Sequence, residues 1–214
     1  DRLAVGRPFV SGTLVSGDTT EYVGAVYVYE RRAVGAGFEW VLANTLAAVE
    51  QAGANFGASL DLRGDLLVVG ARFYNDSPTT RNSGRVYVFE RQLTDWSVSP
   101  IAGAAGAYTN RNLGFSVVVA NPDTIYASAT NSNSDPNAMD PVTRGGVVIE
   151  YSRQGASWVN TRAIYDPDTK RFNQFGWDLD FEDPLLVIGA PGDTKLDGGE
   201  MGDTKKVGRT FLYD

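Results

Sequence analysis

The chain has 214 residues and a net charge of −7, from 19 basic and 26 acidic side chains, which disfavours binding to the phosphate backbone of nucleic acids. It contains no cysteine and no histidine, so disulfides, thiolate or histidine metal sites, and catalysis by a cysteine nucleophile or a histidine base are excluded within it. No apolar run approaches the roughly 20 residues of a membrane-spanning helix.

The first predicted elements are short strands. Asp1–Gly6 is a short apolar segment, and Gly24–Glu30 is rich in β-branched and aromatic residues, which suit a pleated surface. Trp40 follows in a weaker segment. No part of the chain sustains the i, i+3, i+4, i+7 pattern of a helix, so the sequence predicts an all-β fold.

The next unit shows the complete pattern. Asn55–Leu60 leads into a strand that ends in a tight turn at Arg63-Gly64. Leu66–Ala71 is a continuous apolar run, as in strands buried on both faces. Val86–Glu90 is a third strand, and the segment around Trp96 is a weaker fourth. The unit therefore predicts four short strands.

The same landmarks return in fixed order at a period of about 60 residues. The equivalent small residues of the apolar strand are Gly6, Gly70, Ser128 and Gly189. Because one four-stranded unit cannot bury both of its faces alone, the repeat predicts blades of a β-propeller. The predicted units are 1–54, 55–111, 112–173 and 174–214, of which the first lacks its first strand and the last its fourth.

The landmarks resemble the FG-GAP repeat of integrin α-subunit propellers. The two halves of that name stand here as Phe175-Gly176 and Gly189-Ala190-Pro191, and the second unit has Phe56-Gly57 and Gly70-Ala71-Arg72. The resemblance implies a propeller that usually has seven blades, of which this chain holds about three and a half. We therefore expect the chain to be part of a larger protein, with the remaining blades supplied by the rest of that protein or by another chain.

The resemblance also implies a calcium loop of the form Asp-x-Asp-x-Asp-Gly-x-x-Asp after the Gly-Ala-Pro segment. Lys195 and Met201 stand at ligand positions of the matching loop and are unsuitable, which favours an ordinary solvated acidic loop as the alternative. A second candidate loop has alternate oxygen-bearing side chains, but loops rich in Asn and Asp are usually just turns. The candidate calcium ligands are Asp193, Asp197, Glu200 and Asp203 in the first loop and Asn131, Asn133 and Asp135 in the second.

Two further features have structural interpretations. Arg63-Gly64-Asp65 spells the tripeptide that integrins recognise in their ligands, but its place in the repeat predicts a hairpin turn between two strands of one blade. Trp177 stands where the other units have Ala58 or Phe115, and we expect it to be packed within the fold.

The functional expectation follows from the resemblance together with the absent residue types. It is a non-catalytic scaffold or adhesion-type protein, extracellular or at the cell surface, that binds a protein or glycan partner through the loops of its propeller. Two alternatives are a structural subunit of an extracellular filament or surface assembly, and an accessory propeller of a larger secreted enzyme. The three hypotheses differ in which segments or domains they expect beside this chain, so the 214 residues do not choose between them.

Overall fold

A computed structural model describes residues 1–13, 19–20, 23–47, 51–77, 82–93, 95–101, 112–132, 144–167, 172–193 and 207–214. Within these ranges the fold is all-β, as predicted, and no helix is present that could span a membrane. The strands are β1 (Arg2–Arg7), β2 (Gly12–Thr13), β3 (Thr19–Thr20), β4 (Ala25–Val34), β5 (Gly37–Leu46), β6 (Ser59–Arg63), β7 (Leu66–Ala71), β8 (Arg85–Gln92), β9 (Asp95–Ile101), β10 (Leu113–Asn121), β11 (Thr124–Ala129), β12 (Val147–Gln154), β13 (Ser157–Tyr165), β14 (Leu179–Glu182), β15 (Leu185–Ala190) and β16 (Arg209–Tyr213).

The strands form four main antiparallel sheets, in which strands pair in chain order except that β2 and β3 intervene between β1 and β4. Sheet 1 contains β1, β4 and β5; sheet 2 contains β6 to β9; sheet 3 contains β10 to β13; and sheet 4 contains β14, β15 and β16. The pair β2–β3 is a small separate hairpin. Four-stranded antiparallel sheets that follow one another along the chain are the architecture expected of propeller blades.

The sheets pack face to face through three apolar clusters, one between each consecutive pair. The strand β7 is buried along its whole length, as its unbroken apolar run predicts. Its side chains alternate between neighbours, because successive residues of a strand point to opposite faces. Leu67 and Val69 pack against sheet 1, whereas Leu66 and Val68 pack against sheet 3.

Consecutive sheets also touch through their main chains. Gly84, at the start of β8, forms an isolated parallel bridge to Leu113 at the start of β10. Gly84 has a φ of 78°, and a Cβ at this position would collide with the backbone N and O of Leu113. The bridges Gly24–Phe56 and Gly146–Phe175 repeat this contact at the other two joints. Glycine is therefore required here both by its conformation and by the neighbouring sheet.

The second close approach differs between joints. A Cβ on Gly70 would collide with the carbonyl oxygen of Gly114 in the next sheet. Ser128 occupies the position equivalent to Gly70 in sheet 3 and is fully buried. Its hydroxyl accepts a hydrogen bond from the backbone N–H of Ser116 at 2.9 Å, within its own sheet. At this position, sheets 3 and 4 therefore meet through the side chain of Ser128, whereas sheets 2 and 3 meet through backbone atoms alone.

Side chains also link the first strands of neighbouring sheets. Ser59 Oγ donates to Gly114 O at 2.8 Å, and Asp61 Oδ2 accepts from Val119 N at 2.8 Å. These bonds satisfy backbone groups on the free edge of β10, which has no strand partner beyond it in sheet 3.

The joint between sheets 3 and 4 includes two phenols with a raised pKa, Tyr126 and Tyr213. Tyr126 stacks on Phe181 with ring centroids 6.2 Å apart, and its hydroxyl donates to Glu150 Oε2 at 3.3 Å. Burial, together with the negative charge of Glu150, raises the pKa of Tyr126 above its ordinary value. The phenol therefore stays neutral at physiological pH and serves as a hydrogen-bond donor.

Replacing Gly84 by alanine tests the main-chain contact, with Gly64→Ala as the matched control. Both glycines have positive φ, but a Cβ on Gly64 meets no atom within 4 Å. We expect Gly64→Ala to lower the free energy of unfolding by about 1–2 kcal/mol through backbone strain alone. Gly84→Ala should cost about 1–3 kcal/mol more, because it also forces two sheets apart. Equal losses in urea denaturation would contradict this role of Gly84.

Candidate functional site

The four sheets present two ends to solvent. At the turn end, tight hairpins join the first two described strands of sheets 2, 3 and 4, as at Arg63–Leu66. At the loop end lie Phe56, Leu113 and Phe175, together with the segments that leave β7, β11 and β15. The predicted site residues divide between these ends.

The tripeptide Arg63-Gly64-Asp65 lies at the turn end, in the hairpin predicted for it. The Arg63 guanidinium donates to Ala120 O and to Phe181 O, both at 2.9 Å, and so ties sheet 2 to sheets 3 and 4. Arg2 of sheet 1 donates to Gly64 O at 2.9 Å and to Asp65 Oδ1 at 2.7 Å. All three residues are therefore engaged within the fold, which supports the structural interpretation.

Ion pairs cross both of the joints next to sheet 2 at this same end. Arg91 Nη2 lies 3.1 Å from Glu30 Oε1, and Arg153 Nη1 lies 2.7 Å from Glu90 Oε1. Arg91 and Arg153 also line a cavity of about 360 Å³ between sheets 2 and 3. Because these groups are paired and partly exposed, each pair contributes roughly 0.2–1 kcal/mol and holds adjacent sheets in register. The charged side chains of these ion pairs at the turn end therefore stabilise contacts between sheets.

The loop end holds the candidate calcium ligands. Asp193 is fully buried, and its Oδ2 lies 2.9 Å from Arg209 Nε. Its carbonyl oxygen accepts hydrogen bonds from the backbone N–H groups of Val207 and Gly208. Asn131 lies half-buried in the turn after β11. The remaining candidates lie outside the described residues; they are Asp197, Glu200, Asp203, Asn133 and Asp135.

The described part of the chain contains no group of three or more acidic side chains placed to hold a metal ion. Asp193 offers an oxygen ligand of the type that calcium prefers. A cation beside it would share the carboxylate with the Arg209 guanidinium, which already neutralises its charge. The fit of calcium to this loop therefore depends on residues between 194 and 206.

A cluster of aromatic and cationic side chains also lies at the loop end, and we call it the Arg72 cluster. It consists of Arg72 and Phe73 after β7, Phe115 in β10 and Trp177 before β14. The guanidinium carbon of Arg72 lies 4.9 Å from the ring centroid of Phe73 and 5.1 Å from that of Phe115. The rings of Phe115 and Trp177 are 4.7 Å apart between centroids.

The expectation that Trp177 is packed within the fold is wrong in part. Its ring contacts Phe115, but 43% of the residue is exposed. The sequence did indicate this cluster, because two of its residues differ from their equivalents in other units. Trp177 stands where unit two has Ala58, and Arg72 stands where unit four has Pro191. A large side chain that appears in only some units is not required by the packing that all units share.

Comparison with known proteins supports the repeat assignment. Residues 40–89 match the family described as the FG-GAP repeat, a segment that runs from β5 through β8. No curated protein matches the chain. The matched segment includes Phe56-Gly57 and Gly70-Ala71, which carry the close contacts with the neighbouring sheets. Residues 40–89 therefore form an FG-GAP repeat.

Proposed function

We propose that this chain is a non-catalytic scaffold of the extracellular space or cell surface, which binds a protein or glycan partner through the loops of a propeller. FG-GAP repeats occur in extracellular and surface proteins and often mediate protein interactions. The family is generally non-enzymatic, and the chain lacks histidine and cysteine. The observation that carries the proposal is a difference between the two ends of the sheets. At the turn end, charged side chains make hydrogen bonds and ion pairs between sheets. At the loop end, Trp177 is exposed to solvent.

Binding can be measured on an array of purified extracellular proteins and glycans with the labelled chain. We expect saturable binding to at least one member, with a Kd of about 1 μM or below, equivalent to about −8 kcal/mol. The control is an unrelated β-sheet domain of similar size and net charge, which should not bind the same member. An array on which the chain binds nothing contradicts the proposal.

A second proposal concerns the outer faces of the first and last sheets. Leu3 and Val5 of sheet 1 are each 42% exposed, although their equivalents in sheet 2, Leu67 and Val69, are completely buried. Leu212 lies on the face of sheet 4 that is equivalent to the Val68 face of sheet 2. Val68 is buried against the next sheet, whereas Leu212 is 66% exposed. We propose that further sheets of the same repeat cover both faces in a ring of seven blades, supplied by the rest of the protein or by another chain.

Self-association of the 214-residue chain tests this second proposal. We expect its sedimentation coefficient to rise with concentration, because two complementary apolar faces are open. Leu212→Asp should abolish that rise, whereas Leu93→Asp, at a hairpin tip that is 90% exposed, should not. A monomer at every concentration contradicts the proposal. Open fibres would favour a structural subunit of an extracellular assembly over a closed ring, because a head-to-tail contact that does not close produces filaments.

Calcium binding at the candidate loops remains a proposal that a thermal melt can test. At calcium concentrations about 100-fold above Kd we expect Tm to exceed the value in EGTA by about 5–10 °C, from about 2.7 kcal/mol of linked stabilisation. Asp197→Ala should remove the shift if the first loop binds the ion, and Asp95→Ala in the β8–β9 hairpin should not. An identical Tm with calcium and with EGTA overturns the calcium hypothesis.

A further inference from the structure

The Arg72 guanidinium is held by rings instead of by an anion. It lies against Phe73 and Phe115 at 4.9 and 5.1 Å, distances typical of cation–π contacts. Its Nε is buried and has no hydrogen-bond partner. Within the part of the chain that the structure describes, no acidic side chain lies within ion-pair distance of it.

This arrangement differs from that of three other arginines near the joints, which have acidic partners. Arg85, at the same end, stacks on Tyr74 but also pairs with Asp76 at 3.4 Å. Arg91 and Arg153 are each paired with a glutamate of the preceding sheet. A cation that is partly removed from water and lacks a counter-charge is costly, so an anion that reaches Arg72 gains more than it would at a solvated lysine.

An exposed aromatic surface lies beside this cation. Trp177 is anchored through its backbone N–H, which donates to Gln174 O and Gly189 O, so its ring projects from a fixed position. The ring leans on Phe115 at an interplanar angle of 50°. The cluster therefore joins sheets 2, 3 and 4, and places the exposed indole of Trp177 against Phe115, whose ring also contacts the unpaired Arg72 guanidinium.

We infer that the Arg72 cluster is the docking point for an acidic segment of a protein partner. A carboxylate of the partner pairs with the Arg72 guanidinium, and a neighbouring apolar side chain packs on Trp177 and Phe115. Charge complementarity requires an anion, and the planar fork of arginine suits the two oxygens of a carboxylate. Tryptophan and arginine are also the residues most enriched at the energetic centres of protein interfaces. The inference rests on the proposed binding function and names its chemistry.

The minimal probe is the dipeptide N-acetyl-Phe-Asp-amide, with N-acetyl-Phe-Asn-amide as the neutral control. Binding is followed by the NMR shift of the Trp177 indole N–H, assigned with Trp177→Phe. We expect saturable binding of the acidic dipeptide at roughly millimolar concentration, and at least about 10-fold weaker binding of the neutral one. Arg72→Gln should abolish the difference. Arg144→Gln should preserve it, because Arg144 also stacks on an exposed ring at Phe172, outside the cluster.

Each outcome decides the inference. Equal affinity for the two dipeptides, or no shift with either, overturns it, and this comparison needs no variant that might fail to fold. A shift with an oligosaccharide of glucuronic acid but not with the acidic dipeptide also overturns it, in favour of an acidic glycan. Array binding that survives both Arg72→Gln and Trp177→Ala overturns the inference and leaves the proposed function standing, whereas an array without binding contradicts the proposed function itself.

Discussion

The contact of one sheet's backbone with the backbone of the next is the constraint on which the rest of this structure depends. At Gly24, Gly84 and Gly146 the main chain meets the start of the following sheet directly. This contact fixes the spacing between sheets at one end of the stack, so the apolar side chains between them must fill a gap of set width. The side chains of β7 fill this gap on both sides of their sheet, because successive residues of a strand point to opposite faces.

The polar groups of the fold follow from that packing as well. Strand β10 lies at the edge of sheet 3, so some of its backbone groups have no strand partner. Ser59, Asp61 and Arg63 of the neighbouring sheet 2 form hydrogen bonds with these groups. At the turn end, glutamate and arginine residues then pair across the joints. The loop end is less completely satisfied, since Arg72 is balanced by aromatic rings alone. The two ends of the stack therefore differ in what they leave available to a partner.

The strand order and the hairpin at Arg63-Gly64 were predictable from sequence, because a residue's place in a repeat reflects packing that every unit shares. The contact between Arg72 and Phe115 was not, since it joins residues of different units that no periodicity relates. The pairing of Asp193 with Arg209 lies within unit four, but the other units have Val10, Tyr74 and Ser132 at the position of Asp193, so the repeat did not indicate it. The sequence marked Asp193 only as a candidate ligand, whereas its burial beside a cation depends on how the chain returns after residue 206.

The serine at position 128 bears on how such a chain avoids misassembly. Units of similar length and strand pattern can exchange neighbours while they fold, which is the characteristic failure of repeat proteins. In this chain the surface that sheet 3 offers to sheet 4 carries a hydroxymethyl group, and the surface that sheet 2 offers to sheet 3 carries none. A sheet shaped for one partner therefore meets the other with a clash or a void. Because sheets 1, 2 and 4 keep glycine at this position, Ser128 distinguishes sheet 3 from the other three and favours the pairing of sheet 4 with it.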